Sequence, residues 1–210
     1  MADWQTISSL ATAGGTLVLA VATFSAVRSS NRTARVAEQA LLTGLRPLLL
    51  PSLADDPAHK VLWNDGHAIK IAGGRASLEH ENAVVYLAMA LRNAGTGIAL
   101  LHGWRLLPFQ AFSDVPHGEL DEFRRLTIDL YIPAGGTGYW EGAIREADDP
   151  LRTGVVEAIE ERRPVTVEVL YGDQEGGQRT ISRFSIIPAG DGGWYCQSGR
   201  HWPVDRPAPR

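Results

Sequence analysis

The chain has a single cysteine, Cys196, so no disulfide can staple it, and one thiol suits a reducing compartment. It has no surplus of positive charge: the net charge is −4, and from residue 46 onward 17 arginines and lysines face 22 aspartates and glutamates. A net acidic domain is a poor electrostatic match to a phosphate backbone, so nucleic acid is not an expected partner. Its six histidines, His59, His67, His80, His102, His117 and His201, include no pair at helical ligand spacing. His80-Glu81 lacks the second histidine of a zinc-protease helix, and no metal is expected.

Other chemical signatures are missing as well. Gly14-Gly15, Gly73-Gly74, Gly135-Gly136-x-Gly138 and Gly192-Gly193 are not followed by the Lys-Ser/Thr of a phosphate loop and do not sit between a strand and a helix, so they read as turns and no cofactor is expected. Ser113-Asp114 and His117 do not form a triad, because no serine lies in a nucleophile elbow. The acidic groups Glu119, Asp121 and Glu122, and Glu160-Glu161, read as solvated loops and faces. Internal repeats and low-complexity segments are absent, apart from a Pro-rich tail from residue 203 on.

Charge is absent from residues 7–27, ISSLATAGGTLVLAVATFSAV, and Arg28, Arg32 and Arg35 follow at once. About twenty apolar residues at ~1.5 Å rise per residue cover the ~30 Å hydrocarbon core of a bilayer. The run reads as a transmembrane anchor. A secretory signal peptide needs the opposite charge order, with a positive region before the apolar run. A buried core helix is the weaker alternative, given the position at the N-terminus and the arginine row that ends it. Positive flanks stay on the cytoplasmic side, which places residues 1–5 outside and the bulk of the chain in the cytoplasm, at the inner (plasma) membrane. Ala11 and Gly15, then Ala22 and Ala26, are small residues four apart, the spacing through which two spans can pair.

The expected organisation is a transmembrane anchor over 1–28, a basic juxtamembrane helix over 29–45, a β-sandwich domain over 46–205 and a flexible tail over 206–210. Arg28, Arg32 and Arg35 recur at i, i+4 and i+7, a stripe suited to anionic headgroups. Gly44 and Pro47 close the helix. Beyond them the pattern is of strands between turns: 48–53, 59–63 and 68–72 around Asn64-Asp65-Gly66, 83–92, 98–107, 126–132, 137–144, 164–171, 178–187 and 194–202. Residues 83–92 are apolar on both faces, which predicts a central strand covered on both sides. Residues 126–132 alternate, which predicts one wet face. Asp149-Pro150 opens a short helix on which Leu151, Val155 and Ile159 recur. The sum predicts a mainly-β fold, an antiparallel immunoglobulin-like β-sandwich with one short helix behind the two N-terminal helical segments.

A span, an Arg/Ala/Glu/Gln helix, an Arg-Pro entry and a strand running into Asn93-x-Gly95-x-Gly97-x-Ala99 resemble a broad set of uncharacterised bacterial single-span membrane proteins with a C-terminal sandwich. Tyr171-Gly172-Asp173 followed by Gly176 and Gly177 is similar to the aromatic-x-Asp turn of that set. The resemblance implies that Asn93, Gly95, Gly97 and Asp173 are structural turn residues, and it implies no activity. All but two of the 20 basic residues are arginine, which looks like a GC-rich, actinobacterial-like genome. The preferred function is a non-enzymatic protein-interaction module held at the membrane by one integral span, with a protein partner or a second copy of itself. Tyr139, Trp140, Trp194, Tyr195 and Trp202, near strand ends, are the candidate contact residues. An enzyme or small-ligand receptor with a site assembled from distant residues, and an accessory subunit of a transport or defence assembly, stay open.

Overall fold

The computed structural model describes residues 4–205, and within that range the side chains of residues 4–12, 39, 42 and 43 are not described. The chain divides into two units, Met1–Thr43 and Gly44–Arg210. The flexible tail expected over 206–210, residues 1–3 and the side chain of Ala11 lie outside the described residues.

The first unit is one element, α1 (Trp4–Gly44), a continuous helix of 41 residues and about 60 Å at 1.5 Å per residue. The two helical segments expected from sequence are therefore one, since no proline interrupts the stretch between them. Gly14-Gly15 lies inside this helix instead of forming a turn: neither glycine needs a left-handed φ, and Ala13 and Leu17 nearby are good helix formers. Leu17, Val18, Leu19, Val21, Phe24 and Val27 are all exposed and lie on every side of the helix. The hydroxyls among them turn back onto the backbone, Thr23 Oγ1 donating to the Leu19 carbonyl at 2.8 Å and Ser25 Oγ to that of Ala22 at 2.8 Å. Among the described residues no helix is long and apolar enough to cross a membrane. The described part of the apolar run is residues 13–27, and the side chains of its first six residues, 7–12, are not described.

The second unit is mainly β. Its strands are β1 (Leu49–Pro51), β2 (His59–Leu62), β3 (Ala68–Ile71), β4 (Arg75–Glu81), β5 (Val84–Asn93), β6 (Ala99–Leu107), β7 (Arg124–Ile132), β8 (Thr137–Ile144), β9 (Val165–Gly172), β10 (Arg179–Pro188) and β11 (Trp194–Pro203). A helix, α2 (Arg152–Glu160), connects β8 to β9. Nine strands form one antiparallel sheet in the order β1-β5-β4-β11-β10-β9-β6-β7, with β8 on the other edge of β5, while β2 and β3 pair by themselves. The sheet curls until β7 and β8, at its two ends, pack against each other. The curl turns where β4 meets β11 through only two residue pairs, Ala76 with Trp194 and Arg75 with Tyr195.

β5 shows why the sheet closes this way. Val85, Leu87, Met89 and Leu91 enter the main core with Trp104, Trp140, Val167, Val169 and Phe184, whereas Tyr86, Ala88 and Ala90 meet Val61, Trp63 and Ile71. The hairpin β2–β3 thus covers the outer face of the central strand. A third cluster, Leu170, Ile181 and Trp202, lies on the outer face of β9, β10 and β11. Strand β4 has no counterpart in the sequence reading. Its apolar positions Ala76 and Leu78 alternate with Arg75, Ser77, Glu79 and Glu81, and its turn into β5 uses Asn82 and Ala83, both left-handed at φ 49° and 64°. Asn82 alone marks this turn in the sequence, with alanine standing where such a turn favours glycine.

Candidate functional site

The entry to the domain is pinned by Asn93. This buried amide donates through Nδ2 to the carbonyls of Gly97 (2.7 Å) and Ile132 (3.1 Å), and its Oδ1 accepts from the backbone N–H groups of Leu48 (3.1 Å) and Gly95 (3.0 Å). One side chain therefore ties β1, the β5–β6 turn and the end of β7. Gly95 and Gly97 lie so close to the entering chain that an added Cβ would meet the Arg46 carbonyl oxygen at 2.3 Å and the Leu45 carbonyl oxygen at 1.7 Å. Asp173 caps the β9–β10 turn, accepting from the Gly177 N–H at 2.9 Å.

The five aromatic contact candidates do not share a floor. Trp140 is fully buried in the main core, its ring edge-on to Trp104 at 5.5 Å, while its neighbour Tyr139 packs with the cluster beneath β2–β3. Trp194 is core and lies under the Arg162 guanidinium, whereas Tyr195 is exposed and carries Arg75 over its ring. Trp202 belongs to the third cluster and stacks with Arg183 at 4.8 Å. Adjacent residues of a strand point to opposite faces, which separates Tyr139 from Trp140 and Trp194 from Tyr195. On α1, Gly15, Ala22, Ala26, Arg28, Arg32 and Arg35 are exposed.

Two outer faces of the sheet bury a glutamate. On the first, Glu168 of β9 is fully buried opposite Arg183 of β10. Its Oε1 accepts from Arg183 Nη2 at 2.6 Å and Nε at 2.9 Å, and its Oε2 from the Gly118 N–H at 2.9 Å and Arg105 Nη1 at 3.1 Å. Arg183 spends its remaining donors on the carbonyls of Phe112, Val115 and Pro116. The loop after β6 is thereby sewn to the sheet with every charge matched.

On the second face, beneath β2–β3, Glu141 of β8 is 4% exposed and its Oε2 has no hydrogen-bond partner. Burial pushes its carboxyl up to about 7, with the Arg145 charge opposing and Asp65 adding to the rise. The residue lines a cleft of about 150 Å³ between β7 and β8, with Arg124, Arg125 and Thr127 on one wall, Arg145 at the rim and Trp63 and Trp104 beside it. Arg124 is already held by Asp149, and Arg145 donates to Asp65 at 3.0 Å. Beside the cleft, His67 stacks on Tyr86 with ring centroids 3.9 Å apart and packs on Trp63 at 5.2 Å. Its ring nitrogens face Glu79 at 3.2 Å and Glu81 at 3.4 Å. A wider hollow of about 520 Å³ along Phe112, Gln197 and Arg200 also includes Arg183, whose donors are spent.

The structure also brings together groups that sequence spacing kept apart. Ser182 Oγ lies 2.6 Å from His201 Nδ1, the distance of a nucleophile and its base, but Ser182 is fully buried and also bonds the Tyr171 hydroxyl at 2.8 Å. With the hydroxyl shut in the core, this pair fastens β9, β10 and β11. Neither Ser182–His201 nor His67–Glu79–Glu81 has a local motif that could have announced it. The Glu168–Arg183 pair did have one: a charge in the middle of each apolar arm of a hairpin, of opposite sign. The fold and site define a mainly-β domain behind a long N-terminal helix. No family model, curated protein or solved structure matches the chain.

Proposed function

We propose that α1 holds this protein in the plasma membrane, N-terminus outside, and that the β domain works at the cytoplasmic face as a non-enzymatic protein-interaction module. The observation that carries the reading is α1 itself, one unbroken helix whose Leu17, Val18, Leu19, Val21, Phe24 and Val27 face outward on all sides just before Arg28, Arg32 and Arg35. Apolar side chains exposed on every side of a helix favour a nonaqueous environment, and an arginine collar at one end sets its direction. The curled sheet, with β8-β5-β4 folded over β11-β10-β9-β6-β7, supports an immunoglobulin-like sandwich as the finer description, and the layout resembles bacterial single-span proteins of that build.

Reporter fusions test the orientation. A cytoplasmic reporter at the C-terminus is expected to be active and a periplasmic reporter silent; the reverse pattern would overturn the reading. A second reading, a small-ligand receptor, is favoured by one observation, the unpartnered carboxyl oxygen Oε2 of Glu141 in the β7–β8 cleft. It predicts a solute whose binding is abolished by Glu141→Ala, and saturable binding unaffected by that change would exclude it.

A further inference from the structure

The environment of His67 is unusual in its charge. Three side chains from two elements converge: His67 at the tip of β2–β3, and Glu79 and Glu81, two residues apart and so on one face of β4. Nε2 faces a Glu79 oxygen at 3.2 Å and Nδ1 faces a Glu81 oxygen at 3.4 Å. A neutral imidazole has one N–H, so one of these contacts sets a ring lone pair against a carboxylate. A ring nitrogen with a free lone pair and two carboxylates gathered beside it form a donor set suited to a divalent cation. The ligand atoms these residues offer lie within 4.8 Å of one another, and a first-row divalent ion with bonds of about 2.0–2.2 Å would draw them in by roughly half an ångström.

The group is also held in place before any ion arrives. The His67 ring is fixed between Tyr86 and Trp63. The other oxygen of Glu79 accepts from Ser77 Oγ at 2.6 Å. The turn that carries His67 is tied down by Asp65, which accepts from the His67 N–H at 3.1 Å, the Tyr86 hydroxyl at 2.9 Å and Arg145. Such supporting contacts orient metal ligands and raise affinity. Arg145, bound to Asp65, is not available to neutralise the two glutamates.

The geometry points to a divalent transition-metal site formed by His67, Glu79 and Glu81, which latches the β2–β3 hairpin onto β4. With the ion on Nε2 and Glu79, the N–H at Nδ1 donates to Glu81, whose carboxylate stands close enough to ligate as well. Imidazole in the set selects zinc or cobalt over magnesium and calcium, and water completes the coordination. The latch would close the lid over the face that buries Glu141. It stands on these contacts alone and does not depend on where α1 resides.

Zinc is titrated calorimetrically into the full chain in detergent micelles. The expected result is a saturable 1:1 complex, weakened about 100-fold or more in His67→Gln and Glu79→Gln and about 10-fold in Glu81→Gln, with magnesium giving no heat. Glu81 is exposed, so Glu81→Gln keeps the fold even if a change at His67 loosens the hairpin. Absence of a 1:1 complex, wild-type affinity in Glu81→Gln, or affinity indifferent to all three substitutions would overturn the site.

Discussion

Glu168 and Glu141 are both carboxylates buried on the outer surface of the same curled sheet, and their surroundings could hardly differ more. Glu168 meets two arginines and a backbone N–H, and the loop that covers it gives its own carbonyls to Arg183. Glu141 has an oxygen with no partner, a cleft beside it and a carboxyl raised to about 7. A buried polar group is tolerated when its hydrogen bonds are complete and is costly when they are not. The first face is finished, and its charges fix the loop. The second is unfinished, and a face that retains an unmet polar group beside an opening is where an added component stabilises the protein most.

The largest effect is expected from breaking the finished face. Glu168→Ala leaves Arg183 buried and unpaired, and should cost about 3–5 kcal/mol in unfolding experiments and expose the loop at residues 108–118 to protease. A loss near zero would mean that the pair contributes nothing to the difference.

Glu141 should behave in the opposite sense. Its folded carboxyl titrates near 7 and its unfolded one near 4.5, so the folded state holds a proton that the unfolded state has released over that interval. Its contribution to stability is fully present below about 4.5 and is lost as pH rises through 7, amounting to about 3 kcal/mol at 1.36 kcal/mol per unit. Glu141→Gln should therefore flatten the stability profile between pH 4.5 and 7 and make the chain the more stable form at pH 8. An unchanged profile would place the titration elsewhere. The smallest effect belongs to Arg145→Met. This half-exposed pair with Asp65 is worth less than about 1 kcal/mol, yet removing the charge should move the Glu141 titration, followed by carboxyl NMR, further upward.

Much of this architecture is legible in local pattern. The two apolar faces of β5, the wet face of β7, the β9–β10 hairpin and the helix-to-strand change at Gly44 all follow from periods of two and 3.6 and from turn residues a few positions apart. β4 is hard to read because only Ala76 and Leu78 are apolar in its alternation and Ala83 stands where its turn favours glycine. A place near strand ends is the only trait the candidate contact aromatics share, and neighbours along a strand point to opposite faces instead of joining on one. The features of the second face depend on β2–β3 folding back over β5, which sets His67 beside residues 12 and 14 positions away and Asp65 near Glu141. No local rule encodes that return of the chain.

α1 is the contrasting case, since its meaning lies in composition alone, and it carries the functional reading. Alkaline carbonate extraction of membranes from expressing cells tests it most directly. The chain should stay in the pellet at high pH and move to the supernatant only with detergent, whereas a version lacking residues 1–28 should be released. Recovery of the intact chain in the carbonate supernatant without detergent would contradict the anchor.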